Sequence, residues 1–135
     1  MKKNCFKKAL GIILVLAVIV SALNFTVSAR YKHIDGIYAS LSISSSGLAT
    51  CEGLILPSDN NTSTTLIVEL QYYSNGSWTY NDSWYAYGTG RNIVAKSAQK
   101  YVVHGKYRVV STAKIYSSSG TLLENESCIS PEFTY

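Results

Sequence analysis

Few residues in this chain could do covalent or acid–base chemistry, and most of those stand apart in sequence. Among 135 residues there are two histidines, His33 and His104, and three cysteines, Cys5, Cys51 and Cys128. His33 and Asp35 lie two apart in "HID", a spacing open to two metal ligands, but a structural metal site asks for four. The run "DNNTST" offers Asp59, Asn61 and Ser63 in the order that opens a calcium loop. The continuation is missing: Thr64 stands at the glycine position and Leu70 where the closing glutamate belongs. Glu52, Glu69, Glu124 and Glu126 could pair for glycoside hydrolysis, yet nothing in their spacing brings two together. No phosphate-cradling glycine loop and no zinc spacing occurs. The sequence therefore names no catalytic residue, no cofactor and no metal ligand, and it argues against an enzyme.

What the chain has in excess is aromatic rings. The stretch "ELQYYSNGSWTYNDSWYAYG", Glu69 to Gly88, carries two tryptophans and five tyrosines. Tyr73, Trp78, Tyr80, Trp84 and Tyr85 are the candidate ligand platform. Their rings would stack on sugar faces or anchor a partner protein, offering large contact area at little cost in entropy. Five sequons, at Asn60, Asn61, Asn75, Asn81 and Asn125, read more simply as products of turns rich in Asn and Ser.

The elements that must position these rings lie after a leader. Lys2, Lys3, Lys7 and Lys8 precede an uncharged run from Ala9 to Ala29, which ends in the small residues Val27 and Ala29. We expect residues 1–29 to be a cleaved secretory signal peptide, so the protein is expected to be secreted. The alternative is an uncleaved anchor, since 21 uncharged residues about suffice to span a bilayer. Membrane contact is expected only through this segment, and only if it stays uncleaved. The formal charge of +4 comes from the leader: 12 basic and 8 acidic residues become 8 of each over 30–135. The basicity is thus no nucleic-acid footprint. Glu124, Glu126 and Glu132 follow a basic span from Arg91 to Lys114, and the two sets are expected to face one another across a strand ladder.

Residues 30–135 make one domain. In an exported chain the even pair Cys51 and Cys128 reads as a disulfide, closing a loop worth about 4 kcal/mol. Alternation and turn residues mark seven strands: 37–44, 48–56, 65–73, 77–87, 92–99, 105–116 and 121–130, with "PEFTY" as a further edge segment. "PSDNNTST" is the longest polar break and is expected to be a loop. Hairpins at "SNGS" and "SSSG" join strands three to four and six to seven. Strands three, four, six and seven then form one sheet, and one, two and five the other. This is a seven-stranded antiparallel sandwich of immunoglobulin-like or fibronectin-like layout, with a closed barrel as the alternative. The tyrosine of "GKYRV" suits a corner at the start of strand six.

The order "LQYYSNGSW", "SW", "GTG", "GKYRVVSTAKI" and "SSSGTLLE" resembles small exported β-sandwich proteins of Gram-positive bacteria, over most of residues 48–128. The resemblance implies a bacterial, exported, immunoglobulin-like domain and carries no catalytic residue with it.

The exposure of the rings turns on one residue of register. On strand three, Leu66, Val68, Leu70 and Tyr72 form the apolar face, and Ile67, Glu69, Gln71 and Tyr73 the other. A two-residue Asn75-Gly76 turn sets Tyr73 against Trp78 and Gln71 against Tyr80, with the rings outside. A three-residue loop with a bulge sets Tyr72 against Trp78 and sends them inward, which suits the core pattern better. Both loops accept Asn-Gly. The function expected is an exported non-enzymatic binding domain for a cell-surface glycan or protein. The alternatives are a secreted effector, bacteriocin-like or an enzyme inhibitor, and a structural subunit of an extracellular layer.

Overall fold

A computed structural model describes residues 31–135, and within them every regular element is a β-strand. The expected leader and its Cys5 lie outside the described residues. The strands are β1 (Ile34–Ile43), β2 (Leu48–Pro57), β3 (Thr62–Ser74), β4 (Ser77–Thr89), β5 (Val94–Tyr101), β6 (Lys106–Ser117), β7 (Leu122–Ile129) and the short β8 (Phe133–Thr134). They form two antiparallel sheets, β1-β2-β5 and β4-β3-β6-β7, with β8 on β6. The division between sheets is the one that the hairpins and the alternation imply.

Three of the connections are hairpins, and each turns on a residue of positive φ. Gly47 serves β1–β2, Asn75 and Gly76 serve β3–β4, and Gly120 serves β6–β7. The β2–β3, β4–β5 and β5–β6 connections cross from one sheet to the other, so the chain enters the first sheet twice and the second sheet twice.

Alternation explains the core. Ile37 and Ala39 on β1, Cys51 and Ile55 on β2, Leu66, Val68 and Leu70 on β3, and Val109, Ala113 and Ile115 on β6 all point between the sheets and are buried. Each large aliphatic side chain buried this way contributes about 1.5–3 kcal/mol. Tyr107 is also buried, and its hydroxyl donates to the Val103 carbonyl at 2.9 Å, tying down the corner before β6 as the sequence suggests.

Three expectations are corrected. The polar run "TST" is strand rather than loop: Thr62 and Thr64 lie on the buried face of β3, where β-branching suits the pleat. Glu124 and Glu126 do not face the basic residues of β6. They pair with Ile115 and Ala113 and so share the inward side of β7. There the Glu124 carboxylate accepts the backbone N–H groups of Lys32 and His33, at 3.0 and 2.8 Å. Only Glu132 meets a basic partner, Lys106.

The third correction is the disulfide. Cys51 and Cys128 are both buried thiols, with no bond between them. The strands that carry them make different cross-sheet contacts, β2 with β3 and β6 and β7 with β1. Burial, with Asp82 nearby, pushes the Cys51 thiol up to about 12. Its contribution to stability is present below the ordinary thiol value of 9.0 and is lost as pH rises through about 12, because only the unfolded chain ionises in that window.

The sheets approach closely at Gly53. A methyl group there would stand 2.5 Å from Ser111 Oγ and 2.6 Å from Val68 Cγ2. Ser111 Oγ is itself buried without a hydrogen-bond partner, as is Thr64 Oγ1. Gly53→Ala should therefore cost about 1–3 kcal/mol by overpacking. It should lower the urea midpoint at constant slope. Ser111→Ala should be neutral or stabilising alone, and should restore part of the loss in the double variant. For the thiols, a non-reduced peptide map should contain no peptide joining Cys51 to Cys128. Cys51 should resist iodoacetamide at pH 8 until denaturant is added.

Candidate functional site

The β3–β4 hairpin settles the register of the rings. Asn75 and Gly76 have φ of 52° and 81°, so the turn is the two-residue type with both angles positive. Ser74 faces Ser77, Tyr73 faces Trp78, and Gln71 faces Tyr80. This is the outward register. It does not continue along the strand. Between the Gln71–Tyr80 pair and the Leu70–Asp82 pair, Asn81 is an extra residue with no partner of its own on β3. That bulge moves the pleat by one. Asp82, Trp84 and Ala86 then share the inward face with Leu70, Val68 and Leu66, while Ser83, Tyr85 and Tyr87 go outside.

The three-residue loop expected to suit the core pattern is corrected: Trp78 faces Tyr73 and not Tyr72, and the bulge at Asn81, rather than one at the turn, sends Trp84 inward. Tyr73, Trp78, Tyr80 and Tyr85 stand on the outer face. Trp84 does not: it packs against the core cluster with Ala86 and Tyr72. Tyr87, which is not among the platform residues expected from the sequence, is the most exposed of the rings at 74%, beside Tyr80 at 58% and Tyr85 at 49%. The signal for it was the i, i+2 step from Tyr85. Along the strand, Tyr80 to Tyr87 covers roughly 20 Å.

The turn end of this face is tightly organised. Tyr73 and Trp78 meet edge to face, with centroids 5.3 Å apart. The Arg108 guanidinium lies 4.3 Å over the Trp78 ring, and Lys106 Nζ lies 5.3 Å from the Tyr73 centroid. Arg108 Nε donates to Gln71 Oε1 at 2.8 Å, and Gln71 Nε2 donates to Glu69 Oε1 at 2.6 Å. The two cations belong to β6 and reach the rings because Gln71 pairs with Arg108 on that side. Adjacent strands alone could have revealed them. Trp78 is therefore held by neighbours on β3 and β6, and Tyr80, Tyr85 and Tyr87 are the rings left standing.

The bulge has its own anchor. Asp82 Oδ2 accepts from Lys100 Nζ on β5 at 2.9 Å, and Asp82 Oδ1 accepts the Ser83 N–H at 2.8 Å. The Lys100 hydrogen bond, followed by that of Ser83, holds the Asp82 carboxyl below its ordinary range. Asn81 Oδ1 is buried without a partner at the same place.

The other candidate groups do not converge. His33 Nδ1 lies 3.5 Å from Asp59 rather than beside Asp35. Asp59 Oδ1 accepts the Asn61 N–H, an Asx turn that uses the oxygen a calcium ion would need. Glu52 accepts from Ser40 and Ser97 on the outer face of the first sheet, and His104 stacks on Tyr135 at 4.3 Å. Among the described residues no three of His, Cys, Asp and Glu come together to hold a metal. No family model and no curated protein matches the chain.

The two tryptophans should respond differently to a collisional quencher. Iodide or acrylamide should reach the Trp78 emission and leave the Trp84 emission shielded, giving a downward-curved Stern–Volmer plot. Trp78→Phe should remove the accessible fraction and leave a blue-shifted spectrum. A single uniform accessibility would contradict the bulged register.

Proposed function

We propose that this chain is an exported binding module, not a catalyst, and that it takes an extended cell-surface glycan along the outer face of β4. The observation that carries this reading is the row Tyr80, Tyr85 and Tyr87 on one face of one strand. Three rings standing out from a sheet make a contact surface that a folded chain does not need for its own stability. A tyrosine ring has an apolar body and a polar tip, which suits a ligand with CH faces and hydroxyl rims. The organised end at Trp78 and Arg108 gives the strip a fixed boundary. The leader expected at residues 1–29, and the resemblance to exported sandwich proteins of Gram-positive bacteria, support the compartment.

The test is retention on purified cell-wall polysaccharide, followed by titration calorimetry with soluble oligosaccharides from it. Tyr80→Ala, Tyr85→Ala and Tyr87→Ala should each weaken binding by about tenfold, near the threshold at which an interface residue counts as important. The triple variant should lose binding. Tyr101→Ala, at an equally exposed ring on β5 of the other sheet, should leave binding unchanged. A triple variant that keeps its fold and still binds would assign the ligand to another surface.

A further inference from the structure

The lateral edges of the sandwich are not guarded alike. An edge strand presents unpaired N–H and C=O groups, and folded proteins protect it with inward-pointing charges, lysines, prolines or bulges. β5 carries Lys96 and Lys100 on its inward row, opposite Gly53 and Ala49 of β2. β7 carries Glu124 and Glu126 there. β1 is interrupted near its start by a bulge at Asp35. β4 is 13 residues long and contains neither proline nor lysine. Its one charge, Asp82, is already matched by Lys100. Beyond the bulge, residues 83–89 carry no charge at all.

The hairpin determines which backbone groups on β4 are unspent. In an antiparallel ladder successive residues direct their N–H and C=O groups alternately to the two sides. Ser77 closes the turn against Ser74, and at the far end the Gly90 N–H donates to the Thr62 carbonyl at 2.8 Å. Counted back from Gly90, the groups of Gly88, Ala86 and Trp84 turn towards β3. Those of Thr89, Tyr87, Tyr85 and Ser83 point away from the sheet, where no described strand lies. Of these, the Ser83 N–H is donated to Asp82 Oδ1 and the Thr89 carbonyl accepts from Asn92 Nδ2, so both groups of Tyr85 and Tyr87 and the Ser83 carbonyl are the unspent ones.

We propose that β4 pairs antiparallel with β4 of a second copy of this chain, with Tyr85 on the two-fold axis. The segment is self-complementary in size about that residue. Trp84 falls opposite the second copy's Ala86, Ser83 opposite its Tyr87, and Asp82 opposite its Gly88. A larger side chain meets a smaller one at each step, and no like charges are set across the new ladder. Tyr85 meets its own copy as a cross-strand aromatic pair. A strand from another protein would find the same backbone groups, but this size pattern selects the chain's own sequence. The pairing merges two five-stranded sheets into one, with Tyr80, Tyr85 and Tyr87 of both copies on the same face. It stands independently of any ligand.

Sedimentation velocity of the purified protein, without glycan, tests it. A dimer should form as concentration rises. Tyr85→Lys sets two ammonium groups together at the axis and should raise the dissociation constant by about tenfold or more. Ile129→Lys, at an exposed position on the opposite edge strand β7, should not change it. In the unaltered protein, the Tyr85 and Tyr87 amides should become protected from hydrogen exchange with increasing concentration. That second readout decides the matter if Tyr85→Lys does not fold. A monomer at all concentrations would overturn the proposal. So would a dimer that withstands Tyr85→Lys with unchanged circular dichroism, or one that leaves those two amides exchanging freely.

Discussion

The pleat of a β-strand allows a side chain two directions and no others, and one inserted residue decides how the hairpin uses them. β3 obeys strict alternation over its whole length, because Leu66, Val68 and Leu70 must reach the core. Its partner β4 cannot do the same and also display rings near the turn and bury Trp84. Asn81 resolves the conflict by breaking the alternation once. Before it, Trp78 and Tyr80 are outside; after it, Trp84 is inside and Tyr85 and Tyr87 are outside. The cost is an unsatisfied Asn81 carbonyl, a loss of about 1–3 kcal/mol. The Asp82–Lys100 contact offsets a part of it and also links β4 of one sheet to β5 of the other.

The core works by close approach rather than by covalent closure. Gly53 on β2 admits Ser111 and Val68 from the facing sheet, so that small residues at the centre let large aliphatic ones pack at either end. Two buried hydroxyls without partners, on Thr64 and Ser111, are left in this tight region. They lie on the inward rows of β3 and β6.

Much of the architecture was legible from local chemistry. Asn-Gly and Ser-Gly turns force their flanking strands to be neighbours, and once those pairs are assigned, the remaining strands have one sheet left to form. The inward face of β3 and the tyrosine corner at Tyr107 followed from pattern alone. What stayed hidden depended on relations between strands. Counting cysteines shows that a disulfide could exist but says nothing about which strands β2 and β7 meet across the sandwich. Threonines at the start of β3 resemble a loop until a buried face claims them. "YNDSW" reads equally well as a regular strand or a bulge, and the bulge there, not one at the turn, places Trp84 inside and Tyr85 outside. Arg108 and Lys106 could not be linked to the rings before β6 was known to flank β3.

The interleaving of the two sheets has a kinetic consequence. The chain lays down β1 and β2, leaves for β3 and β4, returns with β5, and leaves again for β6 and β7. Neither sheet can be completed until segments far apart in sequence have met, and most contacts in the molecule are long-range. Chains of such high contact order fold in milliseconds to seconds, because loop closure must come before the contacts that reward it. The β3–β4 hairpin, with a turn already suited to the strand twist, is the segment best able to form early. Until β6 and the first sheet arrive to cover its inner face, that hairpin is exposed on both sides, and its surroundings have that interval in which to act on it.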